Sequence, residues 1–154
     1  MKKTVVYRTL GKLLFVLYLG FVFYFLLLSE AYGRTGEMTE YHYNLELFKE
    51  IKRFWQYREQ LGWFATTANL VGNVLVFVPF GFLMPMASKE RSVIATVCYS
   101  FVLSLVVEIS QILLKVGSFD VDDLLLNTVG GILGYIAFLI CNALRRNYAR
   151  KRNR

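Results

Sequence analysis

The chain has 154 residues and a formal net charge of +7; 56% of its residues are hydrophobic and only 19% are charged. A soluble domain of this length usually has about 45–50% apolar residues and about a quarter charged residues. The charged residues lie outside long apolar runs, which is typical of helices that cross a bilayer. The distribution therefore argues against nucleic-acid binding as the reason for the basic excess and indicates an integral membrane protein.

Four apolar runs are long enough to cross a hydrocarbon core, which takes about 20 residues. The sequence therefore predicts one all-α membrane domain over residues 1–154, with four transmembrane helices. A cleaved signal peptide is the alternative for the first run, although that run exceeds the usual apolar segment of about 7–15 residues. The predicted spans cover residues 10–29, 63–87, 93–115 and 121–144.

Lysine and arginine residues are unevenly distributed between the two ends of the predicted spans. The N-terminal tail, the link between the second and third spans, and the C-terminal tail share one side. That side holds 12 of the 18 basic residues and a single acid, Glu90. Because short basic loops stay in the cytoplasm, we predict an N-in/C-in topology, with a solvated basic C-terminal tail.

The outer loop between the first two spans contains a second kind of helical pattern, over residues 44–60. Asn44 is a plausible N-cap for this segment. An amphipathic helix with aromatic residues on its apolar side is expected to lie flat in the headgroup region. It would serve either as a lid over an outer site or as an inert interfacial anchor. The apolar side consists of Leu47, Phe48, Ile51, Phe54 and Trp55.

Polar side chains recur at three- and four-residue spacing in the last three spans, so that each series lies on one helical face. At about 1.5 Å of rise per residue, Asn69, Glu108 and Asn127 fall at a similar depth in the outer leaflet. An ionisable residue at that depth is a functional-site hypothesis, whereas Asn69, Ser100 and Ser104 are better explained as clamps between helices. The predicted ligand-binding residues are Asn73, Glu108, Gln111, Asp120, Asp122, Asp123 and Asn127.

Neither a metal nor a cofactor is predicted. His42 lies in a polar loop with no second ligand nearby, and the alternative of a divalent cation held by the outer aspartates would need their oxygen atoms as ligands. Cys98 and Cys141 fall inside predicted spans and are interpreted as small buried hydrophobic residues. The glycines of the fourth span are expected to allow close helix packing.

Three segments carry motifs whose order and spacing follow a known pattern. The motif residues are Asn44, Phe48 and Ile51; Asn73, Phe77, Pro79 and Gly81; and Glu108, Gln111, Phe119, Asp123, Asn127, Gly130, Gly131 and Gly134. Together these segments, over residues 44–135, resemble the VanZ-like family of membrane proteins. Leu47 stands where that family usually has proline, and an arginine that often precedes the acidic run is absent, with Gly117 in that area and Lys115 nearby.

The resemblance implies a bacterial plasma-membrane protein and an association with resistance to teicoplanin-type glycopeptide antibiotics. It supplies no mechanism, and three hypotheses remain open. The chain would bind a membrane lipid, a cell-wall lipid precursor or an antibiotic headgroup in an outer polar pocket. Alternatively, Glu108 and Asp123 would act as an acid/base pair of an intramembrane enzyme. The third hypothesis is a lipid transporter or flippase, for which four spans are few and no inverted repeat is found.

Overall fold

The computed structural model describes residues 2–28, 41–88 and 91–152, and four long helices dominate it. All four are long and apolar enough to cross a membrane, which confirms the prediction of a four-helix membrane protein. The side on which each terminus lies remains a prediction. The elements are α1 (Lys2–Leu28), β1 (Tyr43–Asn44), α2 (Lys49–Gln56), α3 (Arg58–Leu61), α4 (Trp63–Ala87), α5 (Val93–Leu113), β2 (Phe119–Asp120) and α6 (Val121–Arg152).

The first and last helices extend beyond the predicted spans. Helix α1 begins at Lys2, and α6 continues to Arg152, so the basic tail is helical although its residues are exposed. No glycine or proline follows Gly134, and alanine, arginine and lysine favour helix. At about 1.5 Å per residue, α6 is about 48 Å long and exceeds a hydrocarbon core of about 30 Å.

The outer connection differs from the predicted continuous helix over residues 44–60. It consists of β1, α2 and α3, and the two short helices are separated at Tyr57. The prediction that Asn44 caps the helix is wrong, because Asn44 lies in β1 opposite Asp120 of β2 in a two-strand parallel pair. The placement of α2 in the headgroup region stays a prediction. Residues 29–40, together with Lys89 and Glu90 of the basic link, lie outside the described residues.

Helices α4 and α6 form the most extensive helix pair of the bundle. A Cβ atom added at Gly81 would lie 1.9 Å from the carbonyl oxygen of Gly131, and one added at Gly134 would lie 2.0 Å from that of Val78. The two backbones are therefore in direct contact, which confirms the packing role predicted for the glycines of the fourth span. Such close approach is how membrane helices gain packing energy without a hydrophobic driving force.

An apolar core joins α1 to α4 and α5, with Val22, Phe77 and Val107 fully buried. The hydroxyl of Tyr18 on α1 donates to the carbonyl oxygen of Val76 on α4 at 2.7 Å. This bond satisfies a polar group inside the apolar contact, where an unpaired hydroxyl is costly. Helix α1 is thereby fixed against the centre of α4.

The two cysteines are not buried. Cys98 and Cys141 are both exposed on the protein surface, so the interpretation of them as buried hydrophobic residues is wrong. The face of α5 that packs inward carries Thr96, Ser100 and Ser104, and Cys98 lies on another face. A thiol is apolar enough to face lipid, which is why composition alone does not distinguish a lipid-facing cysteine from a buried one.

Candidate functional site

The inward face of α5 is polar along its length. Its five polar residues Thr96, Ser100, Ser104, Glu108 and Gln111 are buried. The Asn127 Nδ2 group of α6 donates to Ser104 Oγ at 2.8 Å. Asn127, which the sequence placed in the ligand pocket, therefore clamps α6 to α5.

Glu108 and Gln111 connect the ends of three helices near the start of α6. Glu108 Oε2 accepts the backbone N–H of Asp120 at 2.9 Å, and Gln111 Nε2 donates to the carbonyl oxygen of Leu26 on α1 at 3.1 Å. Both side chains are buried, where an unpaired polar group is costly. These two side chains position the segment that carries the aspartates.

Asp120 caps α6. Its Oδ1 atom accepts the backbone N–H of Asp122 at 2.8 Å and the side-chain amide of Asn44 at 3.0 Å. A carboxylate in this position satisfies an amide that would otherwise have no partner in the helix. Burial raises the pKa of Asp120 above its ordinary value of 3.8, and the nearby carboxylates of Asp122 and Glu50 raise it further against the lowering effect of its hydrogen bonds.

Asp122 has a different set of partners, all at the N-terminal end of α2. Its Oδ1 atom accepts the N–H of Phe48, and its Oδ2 atom accepts those of Glu50 at 2.8 Å and Ile51 at 3.1 Å. The side chain is almost completely buried. Both oxygens of a residue predicted to bind ligand are thus engaged by the protein's own backbone.

Asp123 faces α4. Its Oδ1 atom accepts a hydrogen bond from Asn73 Nδ2, and the structure thus brings together two residues that the sequence predicted for one site. Neighbouring helical residues differ in direction by about 100°, so Asp122 and Asp123 meet different elements. Of the two, Asp123 has the partners expected of a residue inside the bundle.

A cavity of about 150 Å³ lies between α2, α4 and the start of α6. Helix α2 forms one wall, and on that wall Glu50 is paired with Arg53. Of the predicted site residues only the three aspartates line this cavity, whereas Asn73, Glu108, Gln111 and Asn127 are outside its lining. The polar lining consists of Glu50, Arg53, Asn69, Ser118, Asp120, Asp122 and Asp123.

Sequence reasoning missed three of the polar lining residues and gave the fourth, Asn69, a different role. It placed Asn69, one turn before Asn73 on α4, at the depth of the site but interpreted it as a clamp between helices, whereas Asn69 lines the cavity. Glu50 and Arg53 carried the pattern of an ordinary i,i+3 ion pair on a solvated face, and no feature distinguished Ser118. Their common location depends on how the outer segment folds back onto the bundle.

The donor set does not suggest a metal centre. Throughout the described ranges, no three histidine, cysteine or carboxylate side chains are grouped so that they could hold a metal ion. Asp122 uses both its oxygens to accept backbone amides, whereas a divalent cation would require free oxygen ligands. The expectation that the chain has no metal or cofactor stays a prediction.

Four membrane-spanning helices, one of which (α5) has a polar inward face, and a small cavity at one end of the bundle define a multi-pass membrane protein. The VanZ/LLP1 family model matches residues 15–142, and the chain belongs to that family. It is similar to Protein VanZ of Enterococcus faecium, with 37% identity over 82 residues. This match covers 51% of the chain and 51% of that relative, so only about half the length of each is compared. No solved structure matches.

Proposed function

We propose that this chain is a bacterial plasma-membrane protein that contributes to resistance against teicoplanin-type glycopeptide antibiotics, and that it does so by binding a polar headgroup in the covered cavity. Membership of the VanZ/LLP1 family supports the location and the phenotype. The observation that carries the binding role is the cavity itself, with three aspartates in its lining. Carboxylates at the end of a membrane bundle are expensive unless they are paired or serve a function.

The size and charge of the cavity restrict the ligand. Pockets for drug-sized ligands usually measure about 300–1,000 Å³, so a cavity of about 150 Å³ is too small for a complete glycopeptide. This favours one headgroup of a membrane lipid or a lipid-linked cell-wall precursor over the antibiotic. Arg53 is paired with Glu50, and Asp122 is engaged by the backbone of Phe48, Glu50 and Ile51. Asp120 and Asp123 are then the acidic groups that favour a cationic or hydroxyl-rich headgroup.

The arrangement gives less support to the enzymatic alternative. Asp123 lines the cavity and Glu108 is outside its lining, while Glu108 Oε2 accepts the backbone N–H of Asp120. A general acid and a general base must both reach the reacting group. Mass spectrometry of lipids from cells with and without the protein is expected to show no new covalent product. A product that disappears in Glu108→Gln would favour the enzyme instead.

The binding role is tested with Asp123→Asn. Asparagine keeps an oxygen that accepts the bond from Asn73 but removes the acidic group from the cavity lining. We expect the variant to lose most of the protection against teicoplanin in a susceptible host that expresses the chain, as measured by growth inhibition. Glu46→Gln is the matched control, because it removes a carboxylate that forms an exposed ion pair with Lys49 at 3.9 Å and does not line the cavity. Unchanged protection by Asp123→Asn at equal protein levels would remove the cavity from the mechanism.

A further inference from the structure

Helix α2 forms a wall of the cavity but is only lightly attached to the bundle. None of its eight residues, all of which are described, is buried. The helix ends at Tyr57, and Gly62 follows α3 with a φ of 86°. Elements with few buried contacts open at low free-energy cost, and these irregular residues are places where the backbone direction can change.

The N-terminal end of α2 is held by Asp122. The first amides of a helix have no partner within it, and Phe48, at the N-cap position, supplies no side-chain hydrogen bond. The Asp122 carboxylate instead accepts the amides of Phe48, Glu50 and Ile51. A residue of α6 therefore acts as the cap of α2, and these three bonds join the cover to the transmembrane bundle.

The C-terminal end of α2 is held by an aromatic cluster. Trp55 of α2 and Trp63 of α4 meet edge to face with ring centroids 6.4 Å apart. The guanidinium of Arg58 lies over both rings, 5.1 Å from the centroid of Trp55 and 5.4 Å from that of Trp63. Cation–π and aromatic contacts tolerate some rotation, unlike the directional bonds at the other end. The cluster is suited to act as a pivot.

The dimensions of the cavity supply the reason for movement. A space of about 150 Å³ behind the wall formed by α2 holds little more than one headgroup. A headgroup that is joined to the rest of its lipid would therefore need α2 to move away from α4 and α6 in order to enter.

We propose that α2 is a hinged cover over the cavity, that Asp122 is the positioning residue that latches it closed, and that the structure shows the closed state. The ligand is a headgroup that enters when the latch opens, and this part rests on the proposed function. Asp122 then contributes through α2 and does not contact the ligand in the closed state. The cluster of Trp55, Arg58 and Trp63 keeps the other end of α2 attached during opening.

Cysteine accessibility tests the latch without any ligand. Leu126→Cys places a thiol in the cavity lining, in a background where the exposed Cys98 and Cys141 are replaced by alanine. The rate of reaction with a water-soluble maleimide is measured in nanodiscs. Adding Asp122→Asn is expected to raise this rate by about tenfold, since an amide NH2 in place of Oδ2 cannot accept the hydrogen bonds from Glu50 and Ile51. Adding Glu46→Gln, which removes a charge from the same segment, is expected to leave it unchanged. Equal rates in the two folded variants would overturn the proposal.

Hydrogen exchange on the unaltered chain gives a test that needs no folded Asp122 variant. The amides of Phe48, Glu50 and Ile51 are expected to exchange at one common rate, at least about tenfold slower than a free peptide, because one latch protects all three. Exchange at the free-peptide rate would overturn the latch. Both measurements are independent of antibiotic. If the maleimide and exchange results support the latch but Asp123→Asn keeps full resistance, the proposed function is disproved and the cover is not. If Asp123→Asn loses resistance but the maleimide and exchange results contradict the latch, only the cover is disproved.

The pivot has its own readout, because Trp55 and Trp63 are the two tryptophans of the chain. Fluorescence therefore reports on the aromatic cluster alone. In Asp122→Asn the emission spectrum is expected to stay the same, since only the other end of α2 is released. A shift of the emission to longer wavelength, as on exposure of both indoles to water, would contradict the hinge.

Discussion

The transmembrane bundle and the outer segment of residues 41–61 are held together in different ways. In the bundle, α4 and α6 touch backbone to backbone at glycines such as Gly81 and Gly134, and large apolar side chains fill the space beside α1 and α5. The outer segment has little such packing. It is attached by the short β1–β2 pair, by the contact of Trp55 with Trp63, and by two side-chain carboxylates, with Asp120 bonded to Asn44 and Asp122 bonded to the start of α2.

The difference indicates which part is suited to move. Backbone contacts between helices allow no sliding without a steric clash, whereas a hydrogen bond contributes only about 0.5–1.5 kcal/mol, or about 1.5–3 kcal/mol when one group is charged. A few such bonds can be broken and re-formed without disturbing the bundle. The bundle therefore acts as a fixed frame, and the polar attachments decide the position of the outer segment over the cavity.

Gly81→Ala is expected to have the largest effect, because it breaks the fixed frame. The new Cβ would lie 1.9 Å from the carbonyl oxygen of Gly131, and a backbone atom cannot turn away as a side chain can. We expect a loss of about 1–3 kcal/mol or more in the free energy of unfolding, measured by denaturant unfolding in detergent. Gly20→Ala is the control, since nothing lies within 4 Å of its added Cβ. Equal stabilities of the two variants would contradict the rigid contact.

An intermediate effect is expected from Asp120→Asn, and it should depend on pH. The folded chain raises the pKa of Asp120 above 3.8, so it binds this proton more tightly than the unfolded chain. The resulting stability is fully present below pH 3.8 and is lost as the pH rises through the raised pKa. Asparagine removes this dependence.

The measurement for Asp120 is the melting temperature as a function of pH. The parent chain is expected to lose stability relative to Asp120→Asn as the pH rises above 3.8. Glu59→Gln, which neutralises an exposed carboxyl of α3, should track the parent chain at every pH. If the melting temperatures of the parent chain and of Asp120→Asn differ by the same amount at every pH, burial does not raise the pKa of this carboxyl.

Lys115→Gly is expected to have the smallest effect. It tests the comparison at a point where the transmembrane bundle and the outer segment meet. Lys115 follows the C-cap of α5, Leu114, and has a φ of 53°, where glycine costs less by about 1 kcal/mol. Its ammonium also lies 5.2 Å from the ring centroid of Tyr41, a contact that contributes about 0.5–1 kcal/mol. The two effects nearly cancel, so the stability should change by less than about 0.5 kcal/mol.

A double-mutant comparison separates these two contributions. In a Tyr41→Leu background the cation–π contact is already lost, so Lys115→Gly should stabilise the chain there by about 1 kcal/mol. The same denaturant unfolding measurement applies. If Lys115→Gly destabilises the chain in both backgrounds, the positive φ of Lys115 carries no cost.

Much of the architecture could be predicted from residue patterns. Apolar runs of about 20 residues have few alternatives to a membrane helix, because every backbone group must be satisfied within the bilayer. The 3.6-residue period then places Ser104, Glu108 and Gln111 on one face, and that face is buried. These features depend on local geometry and solvent, both of which can be read from a single segment.

The roles of the individual polar residues depended on the tertiary structure. Asp122 and Asp123 are adjacent acids in one acidic run, yet one caps α2 and the other bonds to Asn73 beside the cavity. The amide of Phe48 that Asp122 accepts lies 74 residues away in the chain. A carboxylate acts on whichever donors the fold brings within about 3 Å. The helical face on which polar residues align can thus be determined from the sequence, whereas the division between latch, clamp and cavity lining is set by contacts between distant segments.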